Sequence, residues 1–128
     1  MKKILVVDDE LDVRRILNKR LTASGFLVVE AADGAAGVVV AKKEKPDLII
    51  LDVMMPVQDG LETYQILKRD TLTQRIPIIF LTGLSPDTRR FGSGLEGEGD
   101  YVVLGKPYDP KELLGHIHKA LGEGEPLA

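Results

Sequence analysis

Four apolar residues, Leu48 to Leu51, run without interruption and stop at a carboxylate, Asp52. A wholly apolar run of strand length reads as a strand covered on both faces, as in the middle of a parallel sheet. Met54 and Pro56 then lead the chain away, and Asp59-Gly60 turns it. Asp52 is thereby placed at the carboxyl end of a central strand, where open α/β sheets bind their ligands. A carboxylate in that place is a nucleophile, a metal ligand or a solvated strand end. The rest of the chain decides among the three.

The same pattern opens the chain, where Ile4 to Val7 is apolar and Asp8-Asp9-Glu10 follows. Val13, Ile16, Leu17 and Leu21 recur at helical spacing, with Arg14, Arg15, Asn18 and Lys19 expected to turn outward. Gly25 stops that helix and Phe26 to Glu30 reads as a strand. A helix is expected from Asp33-Gly34 to Lys43 on its place in the chain, although Gly37 and Val38-Val39-Val40 are poor helix formers. Leu61 to Arg69 has the length of a third helix. Pro77 tolerates only the start of the next strand, Ile78 to Leu81, which ends at Thr82-Gly83. Tyr101 to Leu104 is a fifth strand, stopping at Gly105-Lys106-Pro107. Asp109-Pro110-Lys111-Glu112 then starts a helix, with Asp as N-cap, Pro in the first turn and Glu placed to reach back. Leu113, Leu114, Ile117 and Leu121 give it an apolar face.

Strands alternating with helices imply βαβ units, right-handed crossovers and a parallel sheet covered on both faces, a single doubly wound α/β domain. One span departs from the alternation. Gly92, Gly94, Gly97 and Gly99 occupy the place of a fourth helix, and each costs about 1 kcal/mol against Ala, so that helix is expected to be weak or irregular.

Composition closes off several classes. A chain of 128 residues suits one domain, and 44% hydrophobic with 29% charged residues is ordinary for a globular protein. A net charge of −3 gives no reason to expect nucleic acid as the main partner. The absence of cysteine removes disulfides, thiol catalysis and cysteine-ligated metals. No apolar stretch reaches the roughly 18 residues of a membrane span, and the run after Met1-Lys2-Lys3 is too short for a signal peptide. The expectation is a cytoplasmic protein without a membrane partner.

In a parallel sheet the strand ends meet on one edge, and that edge collects Asp8, Asp9, Asp52, Thr82 and Lys106. Three adjacent carboxylates repel one another unless a cation compensates. Oxygen ligands without His or Cys point to Mg²⁺ or Mn²⁺. Lys106 offers a point charge, and Thr82 a hydroxyl donor, to phosphoryl oxygens. Asp52 is then a plausible carboxylate nucleophile that forms an aspartyl phosphate.

Val-Val-Asp8-Asp9-Glu, Leu-Asp52-Val-Met-Met-Pro56-x-x-Asp-Gly60, Leu-Thr82-Gly and Lys106-Pro107 resemble, in order, the motifs of receiver domains of two-component response regulators. The likeness runs from Lys3 to about Leu121, so 1–121 is expected to be the receiver and 122–128 a C-terminal tail. It implies a five-stranded sheet in the order 2-1-3-4-5. It further implies that Asp52 is the phosphoacceptor. Asp9 and Asp52 would bind Mg²⁺ through side chains, Met54 through its carbonyl, and Asp8 mostly through coordinated water. Thr82 would be the switch hydroxyl and Lys106 the phosphoryl contact, with Pro107 following through a cis peptide bond. The implied partners are a histidine kinase or histidine phosphotransfer protein, and a downstream protein target or an output domain cut from a longer regulator.

Two departures accompany the likeness. The switch aromatic is usual three positions before the lysine, where this chain has Val103; Tyr101 stands five before it. The glycine-rich span 92–99 falls in the region that usually forms part of the output surface, and phosphorylation is expected to shift an order–disorder equilibrium over residues 84–100. An aspartyl-phosphate phosphohydrolase is the alternative, but such enzymes place an Asp where Met54 stands. A flavin carrier of the same topology needs a phosphate loop after the first strand, where this chain has acids. His116 and His118 face different ways on one helix and read as surface residues.

Overall fold

Each apolar run read as a strand becomes one in the computed structural model, which describes residues 1–53, 55, 58–83 and 101–122. In chain order the elements are β1 (Lys3–Val7), α1 (Leu11–Ala23), β2 (Leu27–Ala31), α2 (Gly34–Glu44), β3 (Leu48–Leu51), α3 (Gly60–Arg69), β4 (Ile78–Thr82), β5 (Tyr101–Gly105) and α4 (Pro110–Ala120). All strands are parallel, in the order β2-β1-β3-β4-β5. The expected irregular helix and the order–disorder expectation for 84–100 lie outside the described residues, as do Met54 and residues 123–128. Among the described residues no helix is long and apolar enough to cross a membrane.

Alternate strand residues feed two separate cores, as the two-residue period of a strand requires. Leu5, Val7, Ile49, Leu51, Ile78 and Phe80 face one way and meet Ala41 of α2 and Leu61, Tyr64 and Leu67 of α3. Ile4, Val6, Leu48, Ile50, Ile79 and Leu81 face the other way and meet Leu17 and Leu21 of α1 and Leu113 and Ile117 of α4. This two-sided burial is why β1, β3 and β4 read as unbroken apolar runs.

The chain ends of the helices follow their signals. Asp33 accepts a bond from the Ala36 N–H, Asp59 from Glu62, and Asp109 from Lys111 with Pro110 in the first turn. Gly25 takes φ +94° after α1, a left-handed conformation open to glycine. Helix α2 forms despite its glycines, and the structure gives the reason. A Cβ on Gly34 would overlap Thr63 Oγ1 of α3 and reach 2.8 Å from the Gln58 carbonyl, and one on Gly37 would lie 3.0 Å from Val7. The glycines are a packing requirement.

Four expectations need correction. Strand β2 runs from Leu27 to Ala31, one residue later than expected. Ile16 is 51% exposed, because only Leu17 and Leu21 of α1 lie fully over the sheet. Arg14 and Asn18 bend back across β2, both bonding Glu30. Glu112, expected to reach back to its cap, stands 3.9 Å from His116 instead.

Candidate functional site

The register brings the strand ends level. Val7 pairs with Leu51, Leu51 with Phe80, and Thr82 with Gly105, so the residues just beyond them share one edge. Asp8 and Asp52 continue β1 and β3 by one residue and stay tied to the sheet through Asp8 N–H to Ala31 (3.2 Å) and Asp52 N–H to Val7 (3.0 Å). Asp8 is 3% exposed and Asp52 4%, while Asp9 is exposed. One carboxylate oxygen from each of Asp8, Asp9 and Asp52 lies within 4.8 Å of the others.

Lys106 arrives from the end of β5, its N–H bonded to the Thr82 carbonyl at 2.8 Å. Its ammonium lies 3.1 Å from Asp8 Oδ2 and 3.4 Å from Asp52 Oδ2. Burial acts against the ammonium, but bonds and charge from Asp8 and Asp52 outweigh it and hold its pKa above the ordinary lysine value. Lys106 joins Pro107 through a cis peptide. Thr82, fully buried, ends the adjacent strand β4.

The first turn of α3 is pressed against the chain just beyond β3. A Cβ on Gly60 would overlap the Asp52 carbonyl oxygen and reach 2.8 Å from Val53 Cα, and Gly60 N–H bonds the Val53 carbonyl at 3.0 Å. Only glycine allows that approach. The structure thus brings Asp8, Asp9, Asp52 and Lys106 together with Thr82 on the neighbouring strand, while Met54 lies outside the described residues.

Sequence reasoning missed the support behind the acids. Arg14 donates to the Asp8 carbonyl at 2.7 Å and to Glu30 Oε1 at 3.2 Å, and Asn18 donates to Glu30 Oε2 at 2.8 Å. An arginine so near a helix N-terminus opposes the helix dipole, and that is the signal that could have exposed it.

Val103 pairs with Phe80, one alternate position short of the Thr82 level, and Tyr101 pairs with Ile78, two positions further away. The Tyr101 ring packs edge-on at 5.7 Å from Tyr64 and 5.8 Å from Phe80. Val103, not Tyr101, therefore stands nearer Thr82 along the strand.

The sequence matches the family model for the response regulator receiver domain over residues 4–118. The chain belongs to that family. It is 48% identical over 125 residues to a probable transcriptional regulator, ycf27, of Cyanophora paradoxa, covering 97% of this chain and 50% of the relative. It is 38% identical to the phosphate regulon transcriptional regulatory protein PhoB of Klebsiella pneumoniae, covering 99% of this chain and 55% of PhoB. The chain thus spans about half the length of these curated relatives. Among solved structures, Vibrio cholerae chemotaxis protein CheY4 superposes with a TM-score of 0.82 at 33% identity, covering 94% of this chain and 98% of that one. The receiver domain of sensor histidine kinase PA1611 from Pseudomonas aeruginosa superposes with a TM-score of 0.84 at 27% identity over 95% of this chain and 98% of that one, and holds a magnesium ion coordinated in its active site cleft. A receiver is a phosphoacceptor signalling domain; the phosphohydrolase alternative is not favoured.

The residues of this receiver fit a small hard cation. Its acid cluster offers oxygen donors alone, and two of its three carboxylates are buried beside one ammonium among the described residues. Few protein ligands with room for water is the arrangement Mg²⁺ takes.

Proposed function

We propose that this receiver accepts a phosphoryl group on Asp52, using Mg²⁺ held by Asp8, Asp9 and Asp52 together with the Met54 carbonyl. The observation that carries the reading is the Asp8–Asp9–Asp52 cluster bridged by Lys106 at the carboxyl edge of the sheet. An Asp52 carboxylate oxygen attacks phosphorus, the new O–P bond forms as the N–P bond of a phosphohistidine breaks, and the imidazole leaves with its electron pair. The bound cation would supply charge neutralisation at the transferring oxygens. Lys106 already stands beside the acceptor oxygen and adds a fixed positive charge there. Thr82 offers its hydroxyl as a donor to another phosphoryl oxygen. Through these groups the domain assists its own phosphorylation and dephosphorylation without acting on a separate substrate.

The receiver domain spans residues 1–121 and works in the cytoplasm. Its phosphodonor is a histidine kinase or histidine phosphotransfer protein, and its output is a protein target or an output domain of a longer regulator. The test is mass spectrometry after incubation with acetyl phosphate and Mg²⁺. Wild type gains one phosphoryl group and Asp52→Asn gains none; equal labelling of the two overturns the assignment.

A further inference from the structure

Asp9 is the one exposed acid of the cluster, and its two neighbouring peptide groups are both held. On its amino side, the Asp8 carbonyl accepts Arg14 Nη1 at 2.7 Å. On its carboxyl side, the Glu10 N–H bonds Asp8 Oδ1 at 2.9 Å. Asp8 itself is anchored by Ala31 through its N–H and by Lys106 through its other carboxylate oxygen. The backbone of Asp9 is therefore gripped on either side, while its side chain stays on the open edge.

The grip on the amino side comes from α1 and is braced from β2. Glu30 accepts Arg14 Nε at 3.2 Å and Asn18 Nδ2 at 2.8 Å, and Asn18 in turn accepts the Thr22 hydroxyl at 3.1 Å. A guanidinium can satisfy a carbonyl and a carboxylate at once in a fixed geometry, which a lysine ammonium cannot reproduce. The Arg14 side chain is only 14% exposed, while Glu30 stays open to solvent, so the grip on the Asp8 carbonyl is the sheltered part of the brace. Arg14 stands where the helix dipole disfavours a cation. What it gains there is the Asp8 carbonyl and Glu30.

We infer that Arg14, braced by Glu30 and Asn18, is a positioning residue that fixes the Asp8–Asp9 peptide and so aims the Asp9 carboxylate at the cation. The inference rests on the metal reading above and deepens it. Outer supports of metal ligands commonly contribute tenfold or more to affinity without touching the ion.

The experiment measures Mn²⁺ binding, by loss of the free-ion EPR signal, with Mg²⁺ as competitor. Wild type, Arg14→Ala, Asp9→Asn and the double variant are compared, each well below its melting temperature. Arg14→Ala is expected to bind about tenfold more weakly. In the Asp9→Asn background it should cause no further loss, because its effect runs through Asp9. A purely structural role lowers the melting temperature and leaves both affinities where they were. Glu30→Gln, close in shape, is the second variant; it keeps the test decisive should Arg14→Ala fail to fold, and is expected to weaken binding by a smaller factor. Unchanged affinity in either folded variant, or equal losses from Arg14→Ala with and without Asp9, overturns the clamp alone. Failure of wild type to bind Mn²⁺ overturns the metal reading and the clamp with it.

Discussion

Lys106 is the one cation set between Asp8 and Asp52 among the described residues, and its removal would leave two buried carboxylates facing each other. Without metal, Lys106→Met should cost about 2 kcal/mol near neutral pH, below the range for fully buried pairs because the lysine is partly solvated. The pH dependence has a definite sign. The folded-state pKa of Lys106 lies above the ordinary lysine value of 10.5, so folding favours the protonated amine. That stabilisation is complete below the unfolded pKa and is lost as pH rises through the folded value. Urea melts should therefore show a gap between wild type and Lys106→Met that is flat from about pH 6 to 9 and closes only above the ordinary lysine range. A gap that closes between pH 6 and 8 would assign it to some other group. At this scale, sequence reasoning found the acids and the lysine because each ends a strand. It missed Arg14, since helical periodicity tells which way a Cβ points and not how far a long side chain returns across a neighbouring strand.

At the scale of elements, glycine in a helix means opposite things at different places. Gly60 and Gly34 sit where a Cβ would overlap Asp52 or Thr63, whereas nothing among the described residues lies within 4 Å of a Cβ on Gly115. Ala gains roughly 1 kcal/mol over Gly in a helix interior, but overpacking against fixed backbone costs about 1–3 kcal/mol. Gly60→Ala should accordingly destabilise by about 2 kcal/mol and Gly115→Ala stabilise by up to about 1 kcal/mol, both measured by denaturant midpoint. Equal signs for the two would refute the packing account. The strands were legible as apolar runs, because residues such as Ile49 and Ile50 feed opposite cores and leave no polar position between them. Helix α2 was less legible. Its Gly34 and Gly37 answer to Thr63 and Val7, contacts that no local propensity records.

For the whole molecule, parallel strands converge their charged ends, and a cation that binds only the folded edge must stabilise the fold. By mass action the gain is about 1.4 kcal/mol at ten times the dissociation constant. The melting temperature should rise with Mg²⁺, and Asp9→Asn should blunt the rise. A shift of the same size in that variant would place the ion elsewhere. Strand alternation alone implied a doubly wound sheet, but the order of its strands came from motif resemblance, since any right-handed crossover satisfies the local rules. The glycine contacts reach further than stability. Helix α3 touches the Asp52 carbonyl through Gly60 with no side chain between, whereas α2 meets α3 through the Thr63 side chain beside Gly34. A linkage of backbone on backbone has no rotamers in which a small displacement can be absorbed. The Asp52 peptide and α3 thus form a train without slack, and a shift of that peptide must carry the helix or be refused by it.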